Sequence, residues 1–224
     1  MPAVIFDLDG TLMDSYDAHF ESWCHLAGEL GHELTEAQFQ QQFGRKNEPI
    51  LAELHEWTGA ALPDDAEIDR LAQRKETRYR EVIGKDFPVM RGAAELIAML
   101  KDRHWQVAIG SSTPRVNLEF TQARLAKRGV HFDAVACGCD VTRSKPEPDV
   151  FLLAAERLGV RPGDCVVIED APAGIEAAHR AGMASVGLAS KGRTREELAQ
   201  ALCVVDCLTE LGVDVLDGLT RAKA

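Results

Sequence analysis

Two aspartates one residue apart, Asp7 and Asp9, follow the apolar run Ala3-Val4-Ile5-Phe6 and precede Gly10-Thr11-Leu12. Such a run reads as a buried strand. Residues two apart on a strand project to one face, so both carboxylates are expected in one crevice at the strand's carboxyl end, where open α/β sheets bind their ligands. The pair suits phosphoryl transfer: one carboxylate attacks phosphorus, its neighbour manages the leaving group's proton, and Gly10 lets the backbone turn sharply enough to keep both converged. Two solvated acids would account for a bare Asp-x-Asp. The full run Asp-Leu-Asp-Gly-Thr-Leu behind an apolar strand is far more specific.

Three later stations carry complementary chemistry. Val107-Ala108-Ile109 leads into Gly110-Ser111-Ser112-Thr113-Pro114, a loop whose hydroxyls can hold phosphate oxygens ahead of a helix that Pro114 can open. Ser144-Lys145-Pro146-Glu147-Pro148-Asp149 presents a lysine in a proline-stiffened segment. Val166-Val167-Ile168 ends in Glu169-Asp170, acids at another strand end. A helix cap, a surface lysine and a polar strand end would explain each alone. Four stations in order, three of them behind strand-length apolar runs, are not explained that way.

The elements that must position these residues show in the hydrophobic pattern. From about Gly92, strand-like runs (Gln106-Ile109, Ala134-Cys137, Cys165-Ile168, Ala184-Leu188) alternate with helical ones (Ala93-Asp102, Pro114-Lys127, Pro148-Leu158, Ala173-Ala181). This βα rhythm predicts a parallel sheet covered on both faces. Between about Ser15 and Gly84 the period is helical throughout. One stripe joins Tyr16, Phe20, Trp23, Cys24, Ala27 and Leu30; Ile50, Leu51 and Leu54 begin another, and Ile68, Leu71, Ala72, Tyr79, Val82 and Ile83 form a third. This predicts a helical insertion after the first strand, with joints near Met13-Ser15 and Asp86-Arg91. Arg70, Arg74 and Arg78 read as a solvated face balanced by acids.

Composition bounds the partners. With 36 acids against 25 Lys plus Arg, a net charge of −11 argues against nucleic acid or an anionic membrane surface, so phosphate must be held by a local site. The 224 residues, 46% hydrophobic, suffice for a sizeable core. No stretch approaches the ~20 apolar residues of a membrane span, and the first apolar run is interrupted by Asp7 and Asp9, so a cytoplasmic protein without a leader is expected. Cys24, Cys137, Cys139, Cys165, Cys203 and Cys207 lack zinc-finger spacing and are expected to be reduced core thiols.

The four runs resemble the four motifs of the haloacid dehalogenase-like (HAD) superfamily, nearest to its β-phosphoglucomutase-like and small-sugar-phosphatase branch, and the resemblance covers nearly the whole chain. It implies an α/β fold, a Rossmann-like doubly wound parallel sheet core at 1–14 and 86–224, with an inserted helical cap domain of the four-helix-bundle type at 15–85. Asp7 would be the nucleophile that forms an aspartyl phosphate and Asp9 the acid/base. Ser111 and Lys145 would hold phosphoryl oxygens. Mg²⁺ would be held by the Asp7 carboxylate, the Asp9 carbonyl and Asp170, with Glu169 acting through water.

The cap residues bear on substrate. Lys75 lies on an otherwise apolar stripe, where a charge must snorkel or meet an anion. Lys75 and His19 match substrate-contacting positions of the mutase branch. Phe43-Gly44-Arg45-Lys46-Asn47-Glu48 is similar to the cap specificity loop, but Asn47 stands where a mutase has an arginine for a second phosphate. Ser112, His19, Arg45, Lys46, Asn47 and Lys75 are thus the candidate substrate-binding residues. The expected activity is Mg²⁺-dependent hydrolysis of a small phosphorylated metabolite, a sugar or polyol phosphate, by a monomer or weak dimer. A phosphomutase is the alternative that Asn47 disfavours. Dehalogenase and phosphonatase chemistry are disfavoured by Asp9, and a non-enzymatic phosphate-sensing protein by the full set of core residues.

Overall fold

The chain folds in the order β1 (Ala3–Phe6), α1 (Tyr16–Glu29), α2 (Glu36–Gln42), α3 (Asn47–Thr58), α4 (Asp65–Asp86), α5 (Ala93–Asp102), β2 (Gln106–Gly110), α6 (Arg115–Ala126), β3 (Ala134–Ala136), α7 (Asp149–Leu158), β4 (Cys165–Glu169), α8 (Pro172–Arg180), β5 (Ala184–Leu188), β6 (Cys203–Val205) and α9 (Val213–Arg221). The computed structural model describes residues 1–221. Residues 222–224, the end of the range expected for the core, lie outside the described residues. Two units are distinct, Met1–Asp14 with Val89–Ala224, and Ser15–Pro88. The second joint falls beyond residue 86 because α4 itself continues to Asp86.

Among the described residues, the strands of the core unit make one parallel sheet in the order β3-β2-β1-β4-β5-β6. The chain winds outward from β1 in one direction and then, from β4, in the other. A topological switch point therefore lies between β1 and β4, where a crevice opens at the carboxyl ends of the strands. β1, β4 and β5 are buried along their whole length, as strands covered on both faces must be, which is why they read as unbroken apolar runs. Ala3, Ile5, Ala108 and Val167 pack with Phe151 and Ala154 of α7 and Ala177 and Ala178 of α8. Residues of opposite parity, Val4, Phe6, Val107 and Ile109, are also fully buried. β6 departs from the sequence reading, which has no strand there. It is a short, partly exposed edge strand paired only to β5 among the described residues, and it gains its order from that pairing.

The helical unit is built by α1 to α4. Thr35 caps α2 reciprocally with Gln38, and the Asp64 side chain caps α4. Its core joins Trp23, Leu26 and Ala27 to Phe39, Phe43, Ile50, Leu51, Leu54 and Leu71, with Tyr16 edge-on to both Phe39 and Phe43 at 5.1 Å. The arginine stripe on α4 is an ion-paired face: Arg70 meets Glu67, Arg74 meets Glu29, and Arg78 meets Glu21 and Glu81. All six cysteines are free, but only Cys137 and Cys165 are buried. Cys139 is exposed, contrary to the expectation of a core thiol, because it falls in the turn Gly138–Asp140 beyond β3.

Candidate active site

Strand register brings the distant motifs level. Phe6 is paired with Ile109 on one side and Ile168 on the other. The next residues therefore stand level at the carboxyl edge of the sheet, Asp7 just past β1 and Gly110 and Glu169 as the last residues of β2 and β4, and the Asp7 amide donates to the Ile168 carbonyl at 2.9 Å. Asp9 reaches the crevice by another route than the one expected. β1 ends at Phe6, so strand alternation does not set its direction. Asp9 sits in the turn that follows, where the amides of Leu12 and Met13 both donate to the Leu8 carbonyl at 2.9 Å. Its charge still acts on Asp7. Asp7 is buried and Asp9 half-buried.

Lys145 is the hub of the core site. Its Nζ donates to Asp7 Oδ1 and to Glu169 Oε1, each at 2.6 Å, and lies 4.6 Å from the centre of the Phe151 ring. Glu169 Oε2 accepts from the Ala171 amide at 2.6 Å, which fixes its direction. Ser111 is buried, its amide bonded to the Ala136 carbonyl and its hydroxyl accepting from the Thr113 amide at 3.3 Å. Ser112 is half-buried beside it, and Pro114 occupies the cap position of α6 rather than the first helical turn. Two glycines make room for the acids. At Gly10, with φ of +80°, a Cβ would overlap the Asp170 carboxylate, and at Gly174 it would overlap that of Glu169. Gly174 carries no signal in the sequence beyond its place after a strand end.

The electrostatics are those of a site with too much negative charge. Burial pushes the Asp7 carboxyl up to about 7; Lys145 opposes this, while the Glu169 and Asp9 charges add to it. Asp170 is likewise pushed well above the carboxylate range, by burial and then by Glu169 and Asp7, against Arg193 and Lys145. Burial works against the Lys145 ammonium, yet Asp7 and Glu169 hold it above the ordinary lysine range. Asp170 Oδ2 is buried with no hydrogen-bond partner, a costly state for a carboxylate oxygen in the absence of a cation. Among the described residues, no three His, Cys, Asp or Glu side chains form a metal-binding group. A hard cation that takes oxygen from water and backbone carbonyls does not need one. The orphaned Asp170 oxygen beside the buried Asp7 fits a divalent ion such as Mg²⁺.

In the helical unit, the structure brings together three of the candidate residues through a fourth that the sequence reading passed over. Lys75, only 2% exposed, donates to Glu76 Oε1 at 2.9 Å and meets His19 Nδ1 at 2.9 Å. An ammonium has only hydrogens to give, so Nδ1 accepts. Trp23 and Tyr79 lie 5.2 and 5.4 Å from the ammonium, and His19 stacks on Tyr79 at 4.0 Å. Asn47 Nδ2 donates to the same Glu76 Oε1 at 2.9 Å. Burial raises the Glu76 carboxyl, but Lys75, His19 and the Asn47 bond outweigh it and hold the group below its ordinary value. Arg45 instead pairs with Glu53 at 2.7 Å, and Lys46 is exposed at the cap position of α3. No helix among the described residues is long and apolar enough to cross a membrane.

The sequence model of the haloacid dehalogenase-like hydrolases matches residues 1–182. The chain is 35% identical over 191 residues to the β-phosphoglucomutase of Bacillus subtilis strain 168, covering 84% of this chain and 83% of that one. It is 34% identical over 188 residues to the fructose-1-phosphate phosphatase YqaB of Escherichia coli K12, covering 82% of this chain and 94% of its relative. The crystal structure of the β-phosphoglucomutase of Clostridium difficile superposes with a TM-score of 0.86 at 27% identity, over 99% of this chain and 98% of the other.

Proposed function

The chain belongs to the haloacid dehalogenase-like hydrolases, and from that premise we propose that it is a Mg²⁺-dependent phosphatase of small sugar or polyol monophosphates that works through an aspartyl phosphate on Asp7. The observation that carries this reading is the buried Asp7 carboxylate. It is held at one oxygen by Lys145, which is itself braced on Glu169, so that Asp7 Oδ1 is engaged and the nucleophile is oriented.

Asp7 attacks phosphorus and the alcohol leaves. Ser111 and Lys145 hold phosphoryl oxygens, and the Lys145 ammonium, kept charged by its two acids, offsets negative charge as it develops. Ser112, half-buried next to Ser111, offers a further hydroxyl. Asp9 protonates the leaving alkoxide and then takes a proton from the water that cleaves the aspartyl phosphate. Asp7, the Asp9 carbonyl and Asp170, with Glu169 behind them, would hold a Mg²⁺ ion, which would supply Lewis-acid neutralisation of the phosphoryl oxygens.

A phosphomutase is the second reading, favoured by the similarity to β-phosphoglucomutases. It must grip a second phosphate while the aspartyl phosphate waits, and the neutral amide of Asn47 is a poor group for that. Arg45 is already engaged by Glu53. The test is phosphate release from fructose 1-phosphate, with Mg²⁺ and with excess chelator, set beside conversion of β-glucose 1-phosphate to glucose 6-phosphate in the presence of the bisphosphate. Metal-dependent release faster than isomerisation is expected. Full activity in chelator would reject the metal, and efficient isomerisation with little release would establish the mutase.

A further inference from the structure

Within the core unit, the wall behind the candidate phosphate loop is held by a carboxylate to which the phosphatase reading gives no role. Ser111, Ser112 and Thr113 rest on the end of β3 and on the turn that follows it. The Ser111 amide donates to the Ala136 carbonyl at 3.1 Å, and the Gly138 amide to the Thr113 carbonyl at 3.4 Å. Gly138 comes so close that a Cβ there would stand 2.5 Å from the Ser112 carbonyl oxygen. Asp140 closes this turn. Its Oδ2 accepts from the Cys137 amide at 3.0 Å and from the Cys137 thiol at 3.4 Å. The same oxygen accepts from Arg157 of α7 at 3.0 Å, and Oδ1 pairs with Arg115, the first residue of the helix that follows the loop. One carboxylate thus joins the turn, α6 and α7. Burial raises this carboxyl, but the Arg157 bond and the Cys137 donors outweigh burial and hold it at about 2, so the junction stays charged throughout the neutral range.

We infer that Asp140 is a positioning residue for phosphate: by pinning the Gly138–Asp140 turn to α6 and α7, it sets where Ser111 and Ser112 present their donors. The inference rests on the phosphatase reading above, in which these residues hold phosphoryl oxygens. A hydrogen bond weakens steeply with misalignment, so a loop of donors binds an anion well only if they are already aimed. Gly138 backs the Ser112 carbonyl, and a turn that relaxed away from the loop would leave the Ser112 peptide free to rotate. Removing the Asp140 carboxylate would do this in two ways. The Cys137 amide would lose its acceptor. Arg115 and Arg157, which now meet on one carboxylate, would converge as like charges and push α6 and α7 away from the turn.

The test reads phosphate binding apart from turnover. Inorganic phosphate is titrated calorimetrically, with Mg²⁺ present, into the wild-type protein and into Asp140→Ala, and hydrolysis of fructose 1-phosphate is followed on both. The dissociation constant for phosphate is expected to rise roughly tenfold, the size of one lost hydrogen bond to a charged group. The value of kcat/KM should fall by roughly 10- to 100-fold. The Mg²⁺ concentration that gives half-maximal thermal stabilisation of the phosphate-free protein should stay where it is, because Asp7 and Asp170 follow β1 and β4, which Asp140 does not join. A merely structural role would lower the active fraction, and so kcat, at an unchanged phosphate constant. If Asp140→Ala fails to fold, Arg115→Gln decides the matter: Arg115 is exposed, and losing its ion pair should raise the phosphate constant by roughly 2- to 5-fold. An unchanged phosphate constant in the folded variant, with brisk hydrolysis of fructose 1-phosphate by the wild type, overturns this inference alone. A wild type that neither binds inorganic phosphate nor releases it from the ester overturns the phosphatase reading and this inference with it.

Discussion

In the absence of a divalent cation, the core unit should lose stability as pH rises across neutrality, and Asp7 should be a principal cause. Its carboxyl stands at about 7 in the folded protein against an ordinary value of 3.8, raised first by burial. A group whose folded pKa lies above its unfolded value binds its proton more tightly when folded. The stability it confers is complete below the unfolded value and is lost as pH rises through the folded one. Between pH 6 and pH 8 the unfolded carboxyl is ionised throughout, whereas the folded one passes from mostly protonated to mostly ionised. Integrating that difference gives a loss on the order of 1 kcal/mol. For a chain of this size that lowers Tm by a few degrees, roughly 2–4 °C. Asp170, raised in the same direction, adds to the effect. The assay is thermal melting in excess chelator at pH 6, 7 and 8 on the wild type and on Asp7→Asn, which keeps the shape and removes the titration. A smaller slope is expected in the variant, and Mg²⁺ should raise Tm more at pH 8 than at pH 6 because both acids are then free to bind it. A wild-type Tm that is flat or rises over this range, or an Asp7→Asn slope equal to the wild-type one, would refute the electrostatic account of the site.

Asp9→Ala should lower kcat by about 10²–10⁴-fold, the span of general acid/base catalysis, and phosphorylated protein should be recoverable by rapid acid quench with a good leaving group. Near-normal steady-state turnover would remove Asp9 from proton transfer. Gly10→Ala should cost at least about 1–2 kcal/mol from its left-handed backbone alone, read from urea midpoints. It should also depress activity, because the new methyl would displace the Asp170 carboxylate. A stable, fully active Gly10→Ala protein would show that Asp170 need not be where it stands.

The division of labour between sequence and tertiary structure follows from what each kind of information encodes. Parallel strands covered on both faces must be apolar throughout, so β1, β2, β4 and β5 stand out as runs, and the catalytic candidates are the polar residues at their ends. Helices buried along one stripe repeat with a helical period, which reveals the inserted unit. β6 escapes notice because a three-residue edge strand has no such run. The sequence by itself thus determined the family motifs, the α/β alternation and the identity of the core candidates Asp7, Asp9, Ser111, Lys145, Glu169 and Asp170. Only the fold decided how they pair. Lys145 meets Asp7 across 138 residues of chain, through a strand order and register that no local pattern records. Gly174 makes room for Glu169 by a close approach that only packing produces. Asp9 enters the crevice through a turn, where strand alternation no longer applies. The pattern places Lys75 on a buried stripe, but the anion that answers it could as well have been a substrate. That Glu76 takes this role, and Asn47 with it, depends on how α1, α3 and α4 pack side by side, because periodicity reports which face of an element is buried and not which side chain it meets there.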